Sequence, residues 1–455
     1  MYLEKINSPA DLKELSVEEM TALAAEMREA LIVRASRHMG HVGPDLGFIE
    51  ATIALHAVFS SPEDKIIYDI SHQTYPHKML TGRKEAYTDP AHYDDVSAYS
   101  NPKESPHDFF ELGHTSVSID LALGMAKARE LLGGTEKVIA VIGDGSLSGG
   151  EALEGLNTAG EFKGQFLILV NDNQMSIAEN HGGLYASLKA LRESNGTSEN
   201  NLFRAMGLDY RYEAAGNDIG ALIRALNAVK DLDHPVVLHI NTLKGKGYGP
   251  AETRKEEFHW HFPFDRESGE ILPDFRFEGE SYEEATADFL LQAAAEDPAV
   301  LVLTSGVPGT VDLTPERYAR RAVSRCRHCG ADGARHRLGR GKARGKAGLF
   351  YGGNFLTARL RPRYLHPEEP GHDAARQRLA LRYERCDAQR RTGAPHALQY
   401  PGTHCTRTDL GRRVPEHAPL VPEAERKSGR NPHSLHRTLP RDGSGTGELF
   451  AARAL

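Results

Sequence analysis

The stretch that decides the fold runs from Val138 to Ile177 and reads VIAVIGDGSLSGGEALEGLNTAGEFKGQFLILVNDNQMSI. Its two apolar runs, VIAVI and FLILV, lack the polar alternation of a half-exposed strand. Continuous apolar runs of this length mark strands buried on both faces of a parallel sheet. The segment between them, from about Gly150 to Ala159, reads as a helix. A right-handed strand–helix–strand crossover returns the chain to the same edge of the sheet. The turns carrying Asp144 and Asn173 therefore meet at the carboxyl ends of the strands, where α/β folds bind ligands.

Those two turns have the chemistry of a magnesium–diphosphate anchor. Magnesium takes hard oxygen ligands, a few from protein and the rest from phosphate and water. The Asp144 carboxylate, the Asn173 amide oxygen and a backbone carbonyl near Met175 supply such a set. Gly143 and Gly145 let backbone amides approach a diphosphate, with Ser146 beside them and a helix N-terminus following. The plain alternative is two ordinary turns whose Asp and Asn cap helices.

The same strand–helix alternation extends outward in both directions. Ser16 and Glu19 form a capping box before an amphipathic pattern from Met20 to Ile32. A glycine-rich loop, RHMGHVG, feeds a helix expected from about Gly47 to Phe59. KIIYDIS predicts a buried strand over Ile66–Ile70, with His72 just past its end, and the turn ELGHTS precedes a helix from Val117 to Leu132. PVVLHINT supplies a further strand near Val236–Ile240. The fold class is α/β, a doubly wound parallel sheet. From Ser281 a helix and then a strand, YEEATADFLLQAAAEDPAVLVLTSG, read as the start of a second α/β domain. The expected division is 1–275, 276–320 and a tail over 321–455.

Composition sets that tail apart. Residues 321–455 hold 24 Arg and 3 Lys against 12 acids, a net charge of about +15, whereas the preceding residues carry about −23. The tail contains all four cysteines and neither Ile nor Met. Strand-like apolar runs are expected to stop near Arg320, leaving a poorly ordered segment. A zinc site at Cys326 and Cys329 has only one CxxC pair, and no aromatic interleaving supports a nucleic-acid surface. The N-terminus is polar, and no apolar run approaches the length of a membrane span, so the expected location is the cytoplasm and no membrane partner is expected.

Seven pieces together carry a resemblance: INSPADL, ALHAVF, SHQTYPHKMLTGR, GHTSVSIDLALGMAKAR, VIGDGSLSGGEALEGLNTAG, NDNQMSI and KGKGYGPAE. Over about residues 1–315 the chain resembles the 1-deoxy-D-xylulose-5-phosphate synthases of the transketolase superfamily. The resemblance implies the thiamine diphosphate-binding fold, with thiamine diphosphate and Mg2+ as cofactors. It implies Asp144, Asn173 and Met175 as metal ligands. His72, Gly113, His114, Thr115, Gly145, Ser146, Asn173 and Tyr248 are then cofactor contacts, and His41 and His259 catalytic histidines near the reacting centre. The implied substrates are pyruvate and glyceraldehyde 3-phosphate, condensed with loss of carbon dioxide by a homodimer. An N-terminal transketolase-like subunit and a non-catalytic cofactor-binding fragment are the alternatives. HVGPDLG and GHTSVS depart from the family wording of their loops, and the segment after Ile177 is shorter.

The family also places an activating glutamate in a stretch like VDVGIAEQ, which this chain lacks. At the expected place stands SRCRHCGAD, Ser324–Asp332. One allowed codon choice for that string, AGT CGA TGT CGG CAT TGC GGA GCA GAC, read one base later encodes Val-Asp-Val-Gly-Ile-Ala-Glu-Gln. A frameshift near Ala319–Ser324 accounts together for the arginine-rich composition, the missing isoleucines and the clustered cysteines.

Overall fold

Ten strands fall among the described residues of the computed structural model, which are 1–276, 279, 281–297, 300–305, 313, 323–326 and 346–351. In chain order they are β1 (Gly40–His41), β2 (Lys65–Tyr68), β3 (Val138–Gly143), β4 (Phe166–Asp172), β5 (Asp209–Glu213), β6 (Pro235–Asn241), β7 (Trp260–His261), β8 (Val300–Ser305), β9 (Val323–Cys326) and β10 (Lys346–Tyr351). Strands β2, β3, β4, β6 and β5 lie side by side in that order, and every pairing is parallel. The sheet class read from the sequence is therefore the one observed.

Strand periodicity explains the layers. Val138, Ala140 and Ile142 point to one face with Ile168 and Val170, against Ile119, Ala122 and Leu123 of the helix Ser118–Leu132 and Ala152 and Leu156 of the helix Gly150–Ala159. Ile139 and Val141 point to the other face with Leu167 and Leu169, against Phe48, Ala51 and Leu55 of the helix Gly43–Val58 and Leu222 and Leu226 of the helix Ile219–Val229. Both faces are dry, which is why β3 and β4 need no polar alternation. The helix Val17–Arg37 packs outside the second layer and starts at the expected Ser16–Glu19 capping box.

Three boundaries differ from the sequence expectation. The second helix begins at Gly43 rather than near Gly47, because Pro44 suits a first helical turn. A Cβ at Gly47 would stand 2.7 Å from the Leu243 carbonyl, so this helix runs against the 243–244 backbone. β2 ends at Tyr68 rather than Ile70, since Ile70 (φ 55°) and Ser71 (φ 74°) turn into the left-handed region. Unfavourable backbone of this kind persists only where surrounding contacts fix it.

The third difference concerns the tail. Strand structure does not stop near Arg320: β9 and β10 pair in parallel on either side of β8. LFY, at the end of β10, is a short run of strand-favouring residues that the composition argument passed over. The helix Tyr282–Glu296, capped by Ser281 and Glu284, precedes β8 as expected. The disorder expected over the rest of the tail lies outside the described residues, as does Cys329 of the CxxC pair. Among the described residues no helix is long and apolar enough to cross a membrane.

Ile168 is wholly buried at the middle of the sheet. Ile168→Ala should lower the unfolding free energy by about 2–5 kcal/mol, measured by urea denaturation followed by circular dichroism.

Candidate active site

Register places the two key turns together. Gly143 pairs with Asn171 across β3 and β4, and the Asp144 amide donates to the Asn171 carbonyl at 3.1 Å. Asp144 is buried, and the Asn180 amide donates to its carboxylate. Burial, with the Asp172 carboxylate beside it, raises the Asp144 pKa well above the ordinary range. Burial also pushes Asp172 upward, but His239 and Arg192 outweigh it and hold Asp172 low. Of the two, Asp172 is the carboxylate whose charge its surroundings favour.

The NDN turn closes on itself. The Met175 amide donates to Asn173 Oδ1 at 3.1 Å, and the Gln174 amide to Asp172 Oδ1 at 3.0 Å, with Gln174 in the left-handed region (φ 67°). Gly145 has ordinary helical backbone angles; its smallness is needed because a Cβ there would collide with the Ser176 hydroxyl. The Gly-Asp-Gly loop and the NDN turn are thereby in direct contact.

The Gly113-His114-Thr115 turn reaches the same loop through its neighbour. Ser116, with φ 76°, donates its amide to Asp69 Oδ1 at 2.8 Å and its hydroxyl to the Ser146 carbonyl at 2.7 Å. Thr115 is buried against the Ser116 hydroxyl, and His114 Nδ1 lies 2.8 Å from the Thr115 carbonyl. Asp69, at the end of β2, also accepts from the Ser118 amide at 3.0 Å and so anchors this turn.

A second cluster gathers three predicted histidines. β1 pairs antiparallel with β7, His41 opposite Trp260, and the Val42 amide donates to the His259 carbonyl at 3.4 Å. The His41 and His72 rings stack with centroids 4.7 Å apart, while His259 meets them edge-on at 5.6 and 4.9 Å. His41 keeps some exposure, yet its Nδ1 is shielded and has no hydrogen-bond partner among the described residues. Burial, then the nearby Lys244 charge, pushes His41 down to about 3. It is a neutral imidazole at physiological pH.

Lys244 joins the two clusters, and sequence reading missed it. Its buried Nζ donates to the Ser176 carbonyl at 2.7 Å and lies 3.1 Å from His259 Nδ1. Burial pushes the ammonium down to about 7, although the Asp144 charge pulls it back up. While Lys244 is protonated it can only donate, so His259 Nδ1 accepts and Nε2 carries the ring proton. The signal was present in KGKGY, where the first lysine follows a buried strand and faces its carboxyl edge.

Tyr248 does not join the histidines. It packs with Phe258 and Phe264, and its hydroxyl donates to the Arg266 carbonyl at 3.1 Å. Of SHQTYPHKMLTGR, His72 lies in the histidine cluster and the Tyr75 ring meets His41 edge-on at 6.5 Å. His77, Lys78 and Arg83 instead enter a buried network with Asp108 and Glu104 that ties down the loop before the His114 turn.

These residues fit a magnesium–diphosphate group. Asp144, Asn173 and the Met175 carbonyl are hard oxygen donors on one edge. A Cβ at Gly113, Gly143 or Gly150 would meet open space, and no side-chain acceptor caps the helix that begins at Gly150. Among the described residues no cluster of three His, Cys, Asp or Glu side chains offers a rival metal site.

A model of the 1-deoxy-D-xylulose-5-phosphate synthase family matches residues 3–200. The chain is 40% identical to 1-deoxy-D-xylulose-5-phosphate synthase 2 of Geobacter sulfurreducens over 347 residues, 68% of this chain and 55% of that protein. It is 39% identical to the 1-deoxy-D-xylulose-5-phosphate synthase of Chlorobium phaeovibrioides over 68% of this chain and 55% of that one. The chain thus spans about half the length of the curated synthases it matches. Transketolase from Campylobacter jejuni aligns with a TM-score of 0.46 at 15% identity, over 76% of this chain and 67% of that one, a likeness too slight to add to the fold described above.

An unfolded histidine binds a proton near pH 6.5, whereas folded His41 resists protonation until about 3. Its share of stability is complete above pH 6.5 and is lost as pH falls toward 3. Melting temperatures of the full chain should therefore drop between pH 7.5 and 5, and His41→Phe should make that drop smaller. Equal drops in the two proteins would contradict the buried neutral imidazole.

Proposed function

We propose that this chain is a thiamine diphosphate- and Mg2+-dependent protein of the synthase type, condensing pyruvate with glyceraldehyde 3-phosphate to 1-deoxy-D-xylulose 5-phosphate and carbon dioxide. The observation that carries the reading is the Lys244 bridge. It joins a hard-oxygen, glycine-lined anchor to a cluster of three histidines on one sheet edge. Asp144, Asn173 and the Met175 carbonyl hold the metal, Gly145 and Ser146 lie at the diphosphate, and Gly113, His114 and Thr115 line the cofactor site. The bound cofactor supplies the nucleophilic carbon that no side chain provides.

His41, neutral at physiological pH, can take part in hydrogen bonds without carrying charge, and His259 presents Nε2–H while Lys244 is charged. Imidazoles at such positions suit proton transfers on pyruvate-derived and aldehyde oxygens. Residues 1–275 form the cofactor domain and 276–320 the start of a second one. Family resemblance supports a homodimer.

The chain carries SRCRHCGAD where the family's activating glutamate is expected, so its turnover should be weak. Carbon dioxide release from [1-14C]pyruvate, with and without glyceraldehyde 3-phosphate, tests this. A version with the shifted frame restored should release carbon dioxide about a hundredfold faster, stimulated by the aldehyde. Fast release from the chain as it stands would refute the missing-glutamate reading; none from the restored version would refute the synthase reading.

A further inference from the structure

Beneath the NDN turn lies a buried polar chain that the proposed chemistry does not use. Asp172, wholly buried, separates the two asparagines of the turn. Its Oδ2 faces His239 Nε2 at 3.0 Å and also accepts from the Arg192 guanidinium. On the far side of the ring, His239 Nδ1 lies 2.8 Å from the Tyr210 hydroxyl. His239 is itself wholly buried, and Tyr210 is fixed by the Phe203 ring stacked on it at 5.5 Å.

The tautomer follows from the partners. A carboxylate only accepts, so Nε2 carries the proton and Nδ1 accepts from the tyrosine hydroxyl. The donors come from three separate elements: Tyr210 from β5, His239 from β6 and Arg192 from the helix Gly183–Glu193. His239 and Arg192 meet directly on one carboxylate of β4, and Tyr210 reaches it through the His239 ring. That carboxylate's other oxygen holds the Gln174 amide, the residue in left-handed conformation between Asn173 and Met175. A buried carboxylate with a full set of donors has a single orientation, and a partly satisfied one is costly enough to shift. The relay therefore ends on a backbone amide of the turn that carries both Asn173 and Met175.

We propose that Tyr210, His239 and Arg192 are positioning residues that act through Asp172 to hold Asn173 and the Met175 carbonyl in their metal-ligating arrangement. This inference rests on the reading of Asn173 and Met175 as ligands. Partners behind a metal ligand commonly change affinity by about 10–100-fold when removed. The relay should follow that rule although it reaches the ligands through backbone.

Mn2+ is the probe, added to the full-length chain and titrated by electron paramagnetic resonance of the free ion, with melting temperatures measured in parallel. His239→Leu should weaken Mn2+ binding about 10–100-fold. His239→Gln, whose side-chain amide can still donate to Asp172, should recover most of that loss, which a role in packing alone would not produce. Tyr210→Phe, which removes one hydroxyl and keeps the ring stack, should weaken binding about threefold to tenfold with little change in melting. It carries the test if His239→Leu fails to fold. Asn173→Ala is the reference for loss of a ligand. If Asn173→Ala loses Mn2+ while Tyr210→Phe and the folded His239 variants bind like the parent, the positioning role is overturned. If the Gln and Leu variants lose equal affinity, it is overturned as well. If Asn173→Ala itself binds Mn2+ normally, the ligand reading fails and takes the inference with it.

Discussion

Everything at the carboxyl edge depends on the parallel register of β3 and β4, with Gly143 opposite Asn171. That register brings two acidic side chains, Asp144 and Asp172, into one dry space where both cannot keep a charge. The structure resolves the conflict asymmetrically. His239 and Arg192 stabilise the charge on Asp172, while burial beside Asp172 raises the Asp144 pKa.

A second dependence runs through close backbone approach. The helix that begins at Gly43 lies against residues 243–244, and the Gly245 amide donates to the Gly43 carbonyl at 2.9 Å. This contact seats Lys244 between the Ser176 carbonyl and His259. The β1–β7 pair then delivers His41 to the same place from the other side. Segments near residues 41, 72, 176, 244 and 259 meet there, although the chain separates them widely.

Much of this was legible from the residues. The parallel sheet, the crossover and the pairing of Asp144 with Asn173 followed from two apolar runs and the loop lengths between them. The meeting of His41, His72 and His259 was expected on resemblance alone, since periodicity carries no information about which loops touch. Lys244 and His239 escaped notice for a related reason: lysines are common on surfaces, and a histidine inside PVVLHIN reads as one more strand residue. Only the burial of each side chain and its partners separates it from those ordinary cases. Tyr248 shows the reverse, a motif tyrosine whose hydroxyl and ring are both engaged in packing. β9 and β10 were passed over because composition averaged across 135 residues hides a run as short as LFY.

The central claim is that this edge binds a magnesium–thiamine diphosphate pair through Asp144 and Asn173. Isothermal titration of thiamine diphosphate into the full-length chain, once with Mg2+ and once with EDTA, tests it most directly. The account predicts saturable binding that requires Mg2+ and disappears in Asp144→Ala. Absence of binding with Mg2+ present, or equal binding in EDTA and in Asp144→Ala, would contradict it.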